Sequence, residues 1–206
     1  MKKDRSQIQA RYDRIATFYD LFAKPMELMA LKKWRLDIMK ELKGKVLEVG
    51  VGTGKNIEFY PDNVEITGID FSYKMLSIAK KTANELGKKV NLIQMDVENM
   101  HFPDNYFDMV FTTCVFCSVP NPIKGLQEIR RVCKAKGKII MVEHVRSEKK
   151  VLGLIMDILN PLTVTLYGAN INRRTVENIY QSGYTNVEVS NLSTDIMKKI
   201  IINNCK

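Results

Sequence analysis

Val46-Leu47-Glu48-Val49-Gly50-Val51-Gly52-Thr53-Gly54-Lys55 is an apolar run that breaks into a glycine loop. The run has the length of a buried strand, and glycines let the backbone turn sharply and approach a ligand with no Cβ in the way. The spacing separates classes of nucleotide. A nicotinamide-binding loop usually reads Gly-x-Gly-x-x-Gly and would need glycine at position 55, where this chain has Lys55. Gly-x-Gly-x-Gly leaves room beside the loop for a ligand that carries an amino acid. Glycine turns after strands also occur without ligands, so the loop needs support from the rest of the chain.

Outward from the loop, strands alternate with helices. Residues 55–59 start a helix that Pro61 ends, residues 64–69 form a strand with Asp70 at its tip, and Ser72 caps a helix that runs to about Leu86 before Gly87. Strands follow over 90–95, 108–115 and 138–145, with a helix over 122–133 and a turn at Ala135-Lys136-Gly137. Upstream, residues 6–20 place Ile8, Tyr12, Ile15 and Tyr19 on one helical face, and residues 24–42 read as a second helix. Downstream, 151–159 and 171–182 read as helices, and 187–190 and 196–202 as two strands joined near Ser193-Thr194. Strands separated by helices imply βαβ units, and runs such as Ile139-Ile140-Met141-Val142 fit strands buried on both faces. The fold class is α/β: a Rossmann-like, mostly parallel seven-stranded sheet with helices on both faces and a C-terminal antiparallel hairpin. Residues 1–42 read as an N-terminal helical lid and 43–206 as the ligand-binding domain, within one structural domain.

Ligands of an open parallel sheet bind beyond the carboxyl ends of its strands. Asp70 lies twenty residues after Gly50, where a carboxylate accepts both ribose hydroxyls or, more simply, sits at a helix N-terminus. Asp96, followed by Val97, ends the third strand; it suits an adenine amino group with an apolar neighbour on the ring, or is a solvated loop acid. Thr112 to Val119, with Thr113, Cys117 and Ser118, ends the fourth strand beside the far end of such a ligand, or is buried strand end.

Composition narrows the class. The 206 residues are 27% charged and 45% hydrophobic, which suits one globular domain. The N-terminus has basic residues without an apolar core behind them, so it is no secretory signal. The apolar stretch 151–169 is interrupted by Asp157, Asn160 and Pro161, so it does not read as a membrane span. A cytoplasmic protein, soluble or peripheral to the membrane, is expected. Cys114 and Cys117 invite a redox or zinc reading, but His101 and His144 are the sole histidines and neither has finger-like spacing, so no metal is expected. The net charge is +9, and residues 1–45 hold twelve Lys/Arg against six Asp/Glu. This basic region suits an anionic membrane or an acidic substrate, or is simply a solvated helical surface. No aromatic–basic motif points to nucleic acid.

In order and spacing, LEVGVGTG (47–54), GIDFS (68–72), QMDVENMHFPDNYFD (94–108) and RRVCKAKGKIIMVEHVRS (130–147) resemble the motifs of class I S-adenosylmethionine-dependent methyltransferases. RYDRIATFYD (11–20) is similar to the ubiquinone/menaquinone C-methyltransferases and to bacterial phosphatidylethanolamine N-methyltransferases. CSVPNP, EHVRS and LNPLTVTLYGANINRRT look closer to the phospholipid enzymes and also resemble animal methyltransferase-like proteins that methylate small thiols. CKAKGKI departs from the family's usual proline–glycine turn.

The resemblance implies S-adenosylmethionine as cofactor, held by Glu48, Gly50, Gly52, Gly54, Asn56, Asp70, Phe71, Met75, Asp96, Val97, Thr113 and Ser118. Tyr12 and Tyr19 would close over its methionine end, or merely anchor their helix; Tyr19 is also a catalytic candidate. Cys117, His144 and Tyr167 would line the acceptor pocket, with the apolar segment 151–166, and His144 would be a general base if it is not structural. The acceptor implied is a lipidic or small apolar molecule, first a phospholipid amine, with a quinone or thiol as alternatives. A nicotinamide oxidoreductase and a nucleic-acid binder are the competing classes; Lys55 and Asp96 argue against the first.

Overall fold

The computed structural model describes residues 31–206. Within them, seven strands form one sheet in the order β3-β2-β1-β4-β5-β7-β6. The strands are β1 (Lys45–Val49), β2 (Glu65–Asp70), β3 (Asn91–Gln94), β4 (Phe107–Thr113), β5 (Cys133–His144), β6 (Val187–Ser193) and β7 (Met197–Asn203). β1 to β5 pair in parallel, and β7 runs antiparallel to both β5 and β6. The reversal from β1–β2 to β1–β4 opens a crevice at the carboxyl end of β1, where the glycine loop begins.

The helices are α1 (Lys32–Met39), α2 (Tyr73–Glu85), α3 (Pro122–Val132), α4 (Lys150–Tyr167) and α5 (Thr175–Gln181). Two apolar cores separate the faces of the sheet. Leu47, Val110, Ile139 and Ile200 meet Leu126 and Ile129 of α3 and Ile179 of α5. Val46, Phe111 and Ile140 meet Ile38 and Met39 of α1 and Ala79 and Ala83 of α2. Adjacent residues of β1, β4 and β5 therefore serve opposite cores, as the alternation of side chains along a strand requires. The helix α1 is also tied to the sheet by Glu41, which pairs with Lys138 of β5 and Lys199 of β7.

Some elements differ from the sequence expectation. The expected helix over 55–59 is a three-residue 3₁₀ turn, Ile57–Phe59, because the Asn56 and Tyr60 side chains are drawn inward to Glu48. The fourth strand stops at Thr113, because Cys114 takes a left-handed φ of 56° that breaks the ladder. The expected turn at 135–137 is instead a bulge inside β5: Phe107 pairs with Cys133 and Met109 with Lys138. The helix expected over 151–159 continues through Pro161 to Tyr167. The helix expected over 6–20, the first part of that over 24–42, and Tyr12 and Tyr19 lie outside the described residues.

The β5 bulge is held by the C-terminal segment. The fully buried Asn204 donates from Nδ2 to the carbonyls of Arg130 (3.1 Å), Cys133 (2.9 Å) and Lys134 (3.1 Å). Asn204→Ala leaves those carbonyls without this donor and should lower stability by about 1–3 kcal/mol in denaturant unfolding. Ligand affinity at the far end of the sheet should be unchanged.

Candidate cofactor site at the carboxyl ends of the strands

The glycine loop is packed on both flanks and open in its middle. The Gly50 and Val51 amides donate to the carbonyl of Ile69 (2.8 and 3.1 Å), which holds the loop against the end of β2. A Cβ on Gly50 (φ +73°) would lie 2.4 Å from the Val115 side chain. At Gly52 (φ +58°) a Cβ would meet nothing within 4 Å. The Gly52 amide donates to Asp70 Oδ2 (2.9 Å), and Asp70 Oδ1 accepts from the Ser72 amide (2.9 Å). The carboxylate is thus fixed at the tip of β2 beside the open part of the loop. A carboxylate is an acceptor of the kind that a ribose diol requires.

Beneath the loop, Glu48 is fully buried. Its Oε1 accepts from Asn56 Nδ2 (2.6 Å) and its Oε2 from the Tyr60 hydroxyl. Asn56 also donates to Thr113 Oγ1 (3.1 Å) and accepts from the Arg35 guanidinium (2.7 Å). Burial pushes the Glu48 carboxyl up to about 7, against the opposing pull of Tyr60, Asn56 and Arg35. Glu48, Asn56 and Thr113 therefore meet one another under the loop.

The candidates for the adenine side follow the neighbouring strands β2 and β3. Asp96 Oδ1 accepts from the Glu98 amide (2.8 Å), Val97 is buried, and Glu98 in turn accepts from the Asn121 amide (2.8 Å). Phe71 is half-buried, with its carbonyl accepting from Gln94 (3.1 Å). Met75 is buried, its amide capped by Ser72 Oγ (3.2 Å).

The turn after β4 is organised by a residue the sequence reading missed. Glu143 of β5 is fully buried; it accepts from Thr112 Oγ1 (2.6 Å) and from the amides of Val115 (3.2 Å) and Phe116 (3.1 Å). Burial pushes this carboxyl also up to about 7. Its sequence mark was an acid directly after the apolar run 139–142, where a buried strand has no solvent for a charge. The Cys117 carbonyl accepts from the amide and side chain of Asn170 (both 2.9 Å), which ties this turn to the segment after α4. The half-buried Ser118 closes the turn, its amide donating to the Val115 carbonyl (2.9 Å). Burial raises the Cys114 thiol, and that of Cys117 to about 11, so both stay protonated at neutral pH. Among the described residues no group of three or more His, Cys, Asp and Glu is placed to hold a metal ion. His144 ends β5 next to Glu143, and burial lowers its pKa below the ordinary 6.5. The Tyr167 side chain lies outside the described residues.

A methyltransferase-domain family matches residues 47–141. A thiol S-methyltransferase of Rattus norvegicus is 31% identical over 180 residues, covering 82% of this chain and 74% of the rat protein. A phosphatidylethanolamine N-methyltransferase of Cereibacter sphaeroides is 40% identical over 114 residues, covering 54% of this chain and 56% of that protein. This chain thus spans little more than half of the Cereibacter protein's length. The structure of a SAM-dependent methyltransferase from Thermotoga maritima superposes with a TM-score of 0.70 at 21% identity, covering 95% of this chain and 99% of that one. The chain belongs to the class I methyltransferases, whose cofactor is S-adenosylmethionine.

The residues of this site fit that cofactor: an open cradle at Gly52, a fixed carboxylate at Asp70, and an acid–apolar pair at Asp96 and Val97. Gly52→Ala places a methyl group in the open cradle. It should cost about 1 kcal/mol of stability for its positive φ but weaken cofactor binding by about tenfold or more, read by calorimetry. Gly50→Ala, which strikes Val115, should do the reverse and chiefly lower the melting temperature.

The buried carboxyls set a pH dependence. Both folded pKa values are raised above the unfolded value of 4.5, so the folded state holds protons that the unfolded state has released. Their contribution to stability falls as pH rises from about 4.5 through about 7. His144, lowered by burial, acts oppositely in the same window. Glu143→Gln removes one falling contribution, so its melting temperature should decline less than the wild type's between pH 5.5 and 8. Equal slopes would contradict the assignment.

Proposed function

We propose that this chain transfers a methyl group from S-adenosylmethionine to a lipidic or small apolar acceptor, first among them the amine of a phospholipid such as phosphatidylethanolamine. The observation that carries the methyl-transfer reading is the open cradle at Gly52 with Asp70 fixed beside it. The acceptor class rests on the 40% identity with the Cereibacter enzyme over 114 residues. A thiol acceptor is the second reading, favoured by the likeness to the rat enzyme over 82% of this chain.

The cofactor supplies a methyl group already activated on a sulfonium, so the protein chiefly positions the partners. Asp70 would accept the ribose hydroxyls, and Asp96 the adenine amino group, with Val97 against the ring. Glu48 and Asn56, sealed beneath the loop, would act by holding its shape. Thr113, Cys117 and Ser118 would border the methyl-transfer end. An ammonium or thiol acceptor must lose a proton, and His144, whose pKa burial holds below the ordinary value, would take it. Tyr12 and Tyr19 would close over the methionine end of the cofactor, and Tyr167 would line the acceptor pocket.

A labelled-methyl assay should compare phosphatidylethanolamine, a demethylquinone and a simple alkyl thiol. Methylation of the phospholipid, lost in Asp70→Ala together with cofactor binding, is the expected result. Transfer to the thiol alone would select the second reading. In His144→Ala, kcat should fall by about 10²-fold while cofactor affinity stays within about twofold.

A further inference from the structure

The helix α4 is built inside out. Two rows of large aliphatic side chains run along its exposed side. Val151, Leu154, Ile158 and Leu162 form one row, 74%, 57%, 67% and 57% exposed. Leu152, Ile155, Leu159 and Leu166 form the other. At 3.6 residues per turn the two rows fill one arc of about 160° and run about 23 Å along the helix. The side turned to the protein carries Gly153, Met156, Asn160, Thr163 and Val164, of which only Met156 is a large apolar side chain. A surface helix of a globular protein has the opposite arrangement. Exposed apolar patches of this extent mark contact surfaces.

The chemistry of the surface chooses among occupants. Hydrogen-bonding groups are almost absent from the arc. The Thr165 hydroxyl, which falls within it, already donates to the Pro161 carbonyl (2.8 Å). The helix's one acid, Asp157, is at the margin and is neutralised by Arg146 (2.7 Å) with Asn172 (3.0 Å). Protein interfaces carry about one hydrogen bond per 100–200 Å², and this surface offers little to make them with. Lys149 and Lys150 stand exposed at the start of the helix, with no acidic partner among the described residues. Neighbouring Glu148 is taken by Lys198 (2.9 Å). Lysines at a helix N-terminus oppose the macrodipole, and an anionic surface outside the protein relieves that repulsion. No helix among the described residues is long and apolar enough to cross a membrane. Apolar breadth, poverty in hydrogen bonds and flanking positive charge are together the features of a helix that lies in a bilayer interface.

We propose that the outward face of α4 docks on an anionic lipid surface. Its aliphatic rows enter the acyl boundary, and Lys149 and Lys150 meet the headgroups. This docking does not depend on which molecule is methylated.

The test is co-sedimentation of the full chain with phosphatidylcholine vesicles, with and without about one quarter phosphatidylglycerol. The wild type should pellet with the anionic vesicles. Ile158→Glu/Leu162→Glu should reduce the partition coefficient by about tenfold or more. Lys149→Glu/Lys150→Glu should remove the preference for anionic over neutral vesicles. All three proteins should keep the same melting temperature and cofactor affinity, which separates lost docking from lost folding. Failure of the wild type to bind, or equal binding by the Ile158→Glu/Leu162→Glu variant, would overturn the proposal. So would sedimentation equilibrium showing a dimer that this variant dissociates, which would give the face to a second copy of the chain.

Discussion

The buried carboxylate of Glu48 is the fixed point of the cofactor site. It sits at the end of β1, out of reach of water, and must take its hydrogen bonds from the protein. Asn56 and Tyr60 supply them, and both come from the segment just after the glycine loop. The loop is thereby clamped between the strand that enters it and the turn that leaves it. Through Asn56 the same network reaches Thr113 of β4 and Arg35 of α1. One desolvated acid thus links the sheet, the loop and a covering helix.

Glu143 repeats the device two strands away. In the sheet order, β4 lies between β1 and β5, so the two acids flank it. Glu143 fixes the turn after β4 by accepting two backbone amides and the Thr112 hydroxyl. A buried carboxylate is costly unless its lone pairs are satisfied, and losing one donor costs far more than an exposed hydrogen bond is worth. The carboxyl ends of β1 and β4 are for that reason held by the protein's own hydrogen bonds. Asp70, held by the Gly52 and Ser72 amides, completes the rim.

Much of this was legible in the sequence because it follows from periodicity and turn chemistry. The apolar runs, Ser72 as a helix cap and the alternation of strand and helix led to the seven-stranded sheet and its hairpin. Long-range side-chain contacts were not legible. Nothing local shows that Asn56 turns inward and leaves only a 3₁₀ turn where a helix was expected. The helix read over 151–159 runs on through Pro161, since a helix on the surface can leave one carbonyl to a polar neighbour or solvent. The apolar segment 151–166 gave no clue to direction. Its spacing suits a core or an acceptor pocket, and only the structure shows its large side chains turned outward. Glu143, an acid within a buried strand, was missed, because nothing local shows its partners in the turn after β4.

The proposed seat of the cofactor is over Gly52, with its ribose at Asp70 and its adenine near Asp96 and Val97. A crystal structure of the complex with S-adenosylhomocysteine tests that account most directly. The account predicts that residues 50–54 keep their present path, that the Gly52 amide stays on Asp70, and that the ribose hydroxyls donate to the same carboxylate. A ligand bound away from the loop, or a loop that has rebuilt itself and released Asp70, would contradict it.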